Sequence, residues 1–199
     1  MTALELAPYG DAAVLVTAVG GTAEERWRTV HRLADPVERL AGVFGVVPAY
    51  DTLLVEFDCV RTTFSQVAAG VRAARPVPGA AVPVMFHLPV VYDGPDLPDV
   101  AGELGISVAE VVRLHTAATW TVRFRGAPAG APMLDGSLFP GPVSRCPVPR
   151  VRVAPGSVAV SGCQSVIYPV ASPGGWRLIG RTSVVELGHR PGDLLRFRG

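Results

Sequence analysis

Hydrophobic and polar positions follow two different patterns along the chain. In the first part, Leu4–Ala7 and Ala12–Thr17 are short apolar runs on either side of the turn Tyr9-Gly10-Asp11, and Phe44–Ala49 and Thr52–Phe57 are two more. Runs of this length bounded by turn residues predict strands. Between them, Thr22 and Glu25 have the T-x-x-E spacing of a capping box, ahead of Trp27, Val30 and Ala34 on one helical face. Pro36 is expected to break or kink that helix. Thr63 and Gln66 form a second box, and Phe64, Val67, Ala68 and Val71 follow at helical spacing. The order strand-helix-strand-strand-helix-strand predicts a small ferredoxin-like α/β domain.

The segment 75–83 contains Pro76, Pro78, Gly79 and Pro83, which sets a domain boundary and divides the chain into domains 1–78 and 79–199. Beyond it, Asp96–Leu104 predicts one short helix. Ser107 and Glu110 predict a third capping box, with Val108, Val111, Val112 and His115 on one face. From Trp120 the pattern turns to short β-like runs, Thr121–Phe124, Ser157–Ser161, Ser165–Val170 and Trp176–Leu187, densely interrupted by Gly and Pro. That is the pattern of a compact barrel or sandwich with long loops, and the whole chain is of α+β class.

Composition narrows the chemistry. The 199 residues are 49% hydrophobic and 18% charged with a formal net charge of +1, so the chain can bury a core and has no bulk field for nucleic acid or an anionic membrane. All 18 basic residues are Arg, which excludes a Schiff-base lysine and a phosphate-loop lysine. There is no Asn, hence no N-glycosylation acceptor. Cys59, Cys146 and Cys163 are odd in number and widely spaced, as expected of free thiols in a reducing compartment. The acidic start, with Glu5 and Asp11, is not that of a signal peptide, and no uncharged run reaches the ~20 residues of a membrane helix. A cytoplasmic protein is expected. His31, His87, His115 and His189 are scattered, which predicts no metal site. Arg145–Arg152 is basic but carries no aromatic residue, a weak basis for nucleic-acid binding.

One block is far more specific than these features. Ser157-Val-Ala-Val-Ser-Gly-Cys-Gln164 leads into Ile167-Tyr168-Pro169, then Ser172-Pro173-Gly174-Gly175-Trp176 and Ile179-Gly180-Arg181-Thr182. It closely resembles the signature of the 5-oxoprolinase B-subunit family (PxpB), also called KipI-like or allophanate hydrolase subunit 1. Tyr9-Gly10-Asp11, Pro48-Ala49-Tyr50-Asp51 and Leu114-His115-Thr116 are similar to further family segments, so the resemblance covers nearly the whole chain. It implies a small N-terminal α/β domain followed by a cyclophilin-like β-barrel domain. It also implies work beside a related C-type subunit and an ATP-using A-type subunit, which together open 5-oxoproline to glutamate. On that reading this chain holds no cofactor, and ATP is bound by a partner. KipI-type relatives inhibit a histidine kinase instead, and fold alone does not choose between them.

The family loop GFxPGFPYL reads Gly126-Ala127-Pro128-Ala129-Gly130-Ala131-Pro132-Met133-Leu134 here, with two Phe replaced by Ala and the Tyr by Met. Each lost ring removes on the order of 150–250 Å² of contact area. If the rings lined a groove, that groove is wider here. The family's YGG loop is shortened to Tyr92-Asp93-Gly94-Pro95-Asp96, and its VPAG reads Val153-Ala154-Pro155-Gly156.

Candidate chemistry follows from residue type. His115 is either a core histidine bonded to a carbonyl or a general acid or base. Arg181, taken to lie on the same side of its strand as Arg177, either faces solvent in a salt bridge or grips an anion bidentately. Ser172, Gly174 and Gly175 form either a tight turn or a nest of amides, with Trp176 as a wall or a core residue. Gln164 can orient an amide or lactam, and Tyr92 either supplies a hydroxyl or packs. A Cys163–His115 dyad is conceivable. Arg123 and Arg125 face solvent or form a new anion site. The resemblance adds Gly126, Gly130, Pro132, Met133 and Thr182 to the binding set. The reading is a PxpB-like component of an ATP-dependent lactam hydrolase acting with C-type and A-type partner proteins or as a homo-oligomer. The alternatives are a stand-alone biosynthetic enzyme with a bulkier substrate and a KipI-like kinase inhibitor.

Overall fold

The computed structural model describes residues 2–77, 82–128, 130–186 and 188–199. The chain divides into two compact units, Met1–Ala81 and Val82–Gly199. The boundary expected between residues 78 and 79 lies outside the described residues.

The first unit consists of β1 (Ala3–Pro8), β2 (Ala13–Val19), α1 (Ala23–Glu38), β3 (Val43–Pro48), β4 (Thr52–Phe57) and α2 (Phe64–Ala73). Its four strands form an antiparallel sheet in the order β1-β2-β4-β3. Gly10, at φ 65, turns the chain between β1 and β2 in a conformation that favours glycine. Both capping boxes are complete: Thr22 with Glu25 opens α1, and Thr63 with Gln66 opens α2. Val30, Leu33 and Val37 of α1 and Val67 and Val71 of α2 bury against Val14, Val16, Leu53, Val55 and Phe57. Two expectations differ from the structure. The element order is strand-strand-helix-strand-strand-helix, because the fourth strand of the sheet comes from before β2, not after α2. And Pro36 does not break α1, which runs on to Glu38. A proline N cannot bond the carbonyl four residues back. That carbonyl, of Arg32, accepts instead from the Val77 N–H at 3.2 Å.

The second unit contains β5 (Met85–Pro89), α3 (Leu97–Leu104), α4 (Val108–Ala117), β6 (Trp120–Gly126), β7 (Ala131–Asp135), β8 (Arg150–Val153), β9 (Ser157–Ser161), β10 (Gln164–Ile167), β11 (Ser172–Gly174), β12 (Arg177–Arg181) and β13 (Leu194–Arg198). Seven strands make one mixed sheet in the order β12-β9-β10-β7-β6-β13-β5, and β8 and β11 form a separate two-stranded ribbon. The sheet curls. Just past β5, Val91 and Arg181 of β12 exchange both backbone hydrogen bonds at 2.9 Å, so the chain joins the two edges of the sheet. Gly94 sits against β12 so closely that a Cβ there would overlap the Leu178 carbonyl.

The two faces of this sheet hold different clusters. Trp120, Val122, Leu134, Val158, Val160, Ile179, Leu195 and Phe197 pack with Val100 and Ala101 of α3 and Val111 of α4. On the opposite face Ala131, Val153, Ala159, Val166 and Tyr168 form a smaller cluster with Met133, Trp176 and Leu178.

Several boundaries depart from the sequence pattern. Ser107 caps α4, but Glu110 bonds Arg113 at 2.6 and 2.7 Å, so the third box is half made. Among the described residues of the run Trp176–Leu187, the strand spans Arg177–Arg181. It stops where the Thr182 hydroxyl accepts from the Val184 N–H at 3.2 Å. The apolar run from Ser165 ends as a strand at Ile167. Residues 126–134, expected as a loop, instead join β6 to β7 as a hairpin, with Pro132 and Met133 inside β7. The strand expected to end at Tyr92 ends at Pro89 as β5, and the sequence pattern did not mark out β7, β8 or β13.

Candidate functional site

On the helix-packed face, α4 carries His115 into the core, where it is fully buried. The Ser165 hydroxyl donates to the Ala159 carbonyl at 3.1 Å. A serine has one proton to give. His115 Nε2, 3.0 Å from Ser165 Oγ, is therefore the donor in that pair, and Nδ1 is left to accept from the Tyr92 hydroxyl at 2.7 Å. The hydrogen-bonded chain Tyr92–His115–Ser165–Ala159 thus runs in one direction and fixes one neutral tautomer. Burial pushes the His115 pKa down to about 3, and burial also raises the Tyr92 phenol. Phe197 stacks on the imidazole at 4.5 Å between centroids. At neutral pH this histidine is an uncharged, fully partnered core group that holds Tyr92.

The register of the sheet assigns the other expected residues. Paired strand residues share a face. Asp135 pairs with Gln164, and Gly126 with Ala131, while Leu134 pairs with Ser165. Gln164, Met133 and Gly126 therefore lie on the face opposite His115, where Met133 and Trp176 pack around Tyr168. A Cβ on Gly126 would overlap the Met133 side chain. Gln164 Nε2 donates to Asp135 Oδ1 at 3.3 Å, and Arg123 Nε lies 3.3 Å from Asp135 Oδ2. Burial, first of all, raises the Tyr168 phenol above its ordinary pKa. Ala131 is completely buried. Gly130, at φ 83, is exposed in the turn of the hairpin, and Pro132 is buried. Ala129 lies outside the described residues.

Other expected placements change. Arg181 and Arg177 do not share a face. Their partners on β9 are Ser157 and Val160, three residues apart, because the register shifts between Leu178 and Gly180. Arg181 is exposed and pairs with Asp93 at 2.9 Å, whereas Arg177 bonds Asp99 at 3.3 Å. Ser172 and Gly174 belong to a strand paired with β8, and neither Gly174 nor Gly175 has the positive φ that a nest requires. Thr182 is a buried turn residue whose N–H bonds the Gly156 carbonyl at 2.8 Å. Cys163 is exposed and His115 is bonded to Tyr92 and Ser165, so the two form no dyad. The Arg125 guanidinium donates to the His189 carbonyl.

Sequence reading missed a buried clamp beneath the Trp176 turn. Asp96, at the N-cap of α3, accepts from Arg150 Nη2 at 2.6 Å and from the Leu178 N–H at 2.7 Å. Arg150 Nη1 also reaches Cys146 Sγ at 3.1 Å, and the Cys146 N–H donates to the Gly175 carbonyl at 2.7 Å. The only trace in the sequence is one acid and one arginine 54 positions apart, which no spacing rule joins. A cavity of about 490 Å³ in the first unit is lined by Leu40, Gly42, Arg61, Thr62, Gln66 and Gly70, and none of the expected site residues borders it. Among the described residues no group of three potential metal ligands occurs, and no helix is long and apolar enough to cross a membrane.

Residues 4–187 match the family model of the carboxyltransferase domain, subdomain C and D. The 5-oxoprolinase B-type subunit of Escherichia coli O157:H7 is 40% identical over 123 residues, covering 56% of this chain and 56% of that protein. Its counterpart in Bacillus subtilis (strain 168) is 27% identical across 97% of this chain and 91% of that protein. The match thus spans about half the length of the Escherichia coli relative. The crystal structure of TTHA0988 superposes with a TM-score of 0.77 at 34% identity, covering 94% of this chain and 39% of that one. The Kluyveromyces lactis urea amidolyase, at 20% identity and a TM-score of 0.74, shares the fold over 98% of this chain and 15% of its own.

Proposed function

From the premise that this chain belongs to the carboxyltransferase domain family, subdomain C and D, and to the 5-oxoprolinase B-subunit group within it, we propose that it is one component of a multi-subunit amidolyase that opens a lactam of the 5-oxoproline type. In this reading the first unit is a ferredoxin-like sheet with its edge strand moved to the front of the chain, and the second is a cyclophilin-like barrel. ATP is used by a partner protein, and this chain supplies part of a substrate surface built from Gly126, Met133, Gln164 and Trp176.

The observation that carries the reading is the separation of parts across the sheet. The residues suited to hold an amide, Gln164 above all, lie on one face. His115 is sealed on the other. A surface with binding groups and a sequestered proton carrier is half of a site, and a partner would have to bring the acid–base chemistry. Tyr92 and His115 then act as positioning groups within the barrel, and Arg181 with Asp93 steadies the closure of the sheet.

The test is reconstitution. The chain is co-expressed with A-type and C-type partner proteins from the same genome, and conversion of 5-oxoproline to glutamate is followed with and without ATP. Turnover that needs this chain, its partners and ATP supports the proposal. A chain that stays monomeric beside every such partner, or that turns over 5-oxoproline alone, overturns it.

A further inference from the structure

The basic segment Arg145–Arg152 plays no part in the surface just described, apart from the inward anchor of Arg150. It runs into β8, whose only strand partner among the described residues is β11. The far edge of β8 therefore presents backbone N–H and C=O groups with no neighbouring strand, the arrangement to which an extended segment from another chain can add. Arg150 fixes this strand through its 2.6 Å bond to Asp96, so the edge is held in place before anything docks.

The side chains on that edge state what it would accept. Val151 of β8 is 90% exposed, and Val148, two residues before the strand, 80%, an unusual display of aliphatic surface. Arg145 and Arg152 are also exposed, and among the described residues neither has an acidic partner. Between its pairings with Ser172 and Gly174, β8 carries one residue more than β11, so Val151 and Arg152 bulge side by side and both are exposed. Val151 thus offers an apolar contact and Arg152, next to it, a cation. We propose that β8 is a docking edge for an extended acidic segment with a neighbouring aliphatic residue, contributed by a partner protein of the assembly. A second copy of this chain fits poorly, because pairing two such edges sets arginine near arginine, and like charges across a strand pair repel.

This inference rests on the reading that the chain works with a partner, and the experiment separates the two. The full chain is mixed with the partner proteins that it binds, and backbone amide exchange is followed alongside binding. Exchange of the β8 amides should slow on complex formation. Arg152→Glu and Val151→Asp should each weaken the complex at least tenfold, whereas Arg61→Glu, an exposed arginine of the first unit, should leave it unchanged. Near-ultraviolet circular dichroism of each variant checks that the fold is kept, as expected for exposed positions. A complex that forms normally with both ribbon variants, or that leaves β8 exchange unaltered, overturns the docking edge while the multi-subunit reading stands. No complex with the wild-type chain overturns both.

Discussion

His115 holds three polar groups in one arrangement, and its neighbours determine the cost of disturbing it. Ser165→Ala leaves the Nε2–H without an acceptor in a dry core, which should cost about 1–3 kcal/mol in urea unfolding. The same burial gives a pH signature. The folded-state pKa is held near 3, against 6.5 for an unperturbed histidine, so the unfolded chain takes up a proton that the folded chain rejects. The stabilisation is complete above about pH 6.5 and is lost as the pH falls toward about 3. His115→Phe should therefore be less stable at neutral pH yet show a flatter stability curve between those limits. His189 is lowered as well, again by burial first, so comparing the two proteins isolates the contribution of residue 115. On the other face, if the proposed function holds, Trp176→Ala should lower 5-oxoproline turnover in the reconstituted mixture about tenfold, roughly 1.4 kcal/mol. Equal turnover would remove Trp176 from the site. The sequence put His115 on the buried face of its helix, because helical spacing is local. That its partner is Ser165, fifty residues on, is a fact of sheet register, which no local pattern carries.

At the scale of elements, local chemistry was legible wherever a cap or a face decided the outcome. Thr22 and Thr63 begin α1 and α2 as their boxes require, and Thr63→Ala should cost about 1 kcal/mol in thermal or urea unfolding. The departures come from partners distant in sequence. Pro36 stays within α1 because Val77 takes the carbonyl that proline cannot use. Arg177 and Arg181 part company because β12 shifts register against β9, a feature that alternation alone cannot register. The strands β8 and β13 are short and rich in arginine, so their pairing, not their composition, makes them strands. Gly94 and Gly102 test the same point. A methyl group at Gly94 meets the β12 backbone, whereas at Gly102, in α3, it meets nothing within 4 Å. Gly94→Ala should destabilise by about 1–3 kcal/mol, and Gly102→Ala should be neutral or stabilising by up to about 1 kcal/mol. Parallel urea titrations of the two variants check the contrast.

For the whole molecule, the two units have separate cores, one around Leu53 and Phe57 and the other around Trp120 and Phe197. The strands that open and close the second unit, β5 and β13, lie side by side and parallel, matched from Leu194 with Met85 to Arg198 with Pro89. A force applied between the beginning and the end of this unit would slide these strands along each other. All five matched positions would share the strain at once, whereas an antiparallel pair pulled at its open end unzips one bond at a time. Drawn out in an optical trap by handles near Val82 and Gly199, the unit should yield in a single high-force rupture. Handles moved to Thr121 and Asp135, paired across β6 and β7, should peel it apart at a much lower force.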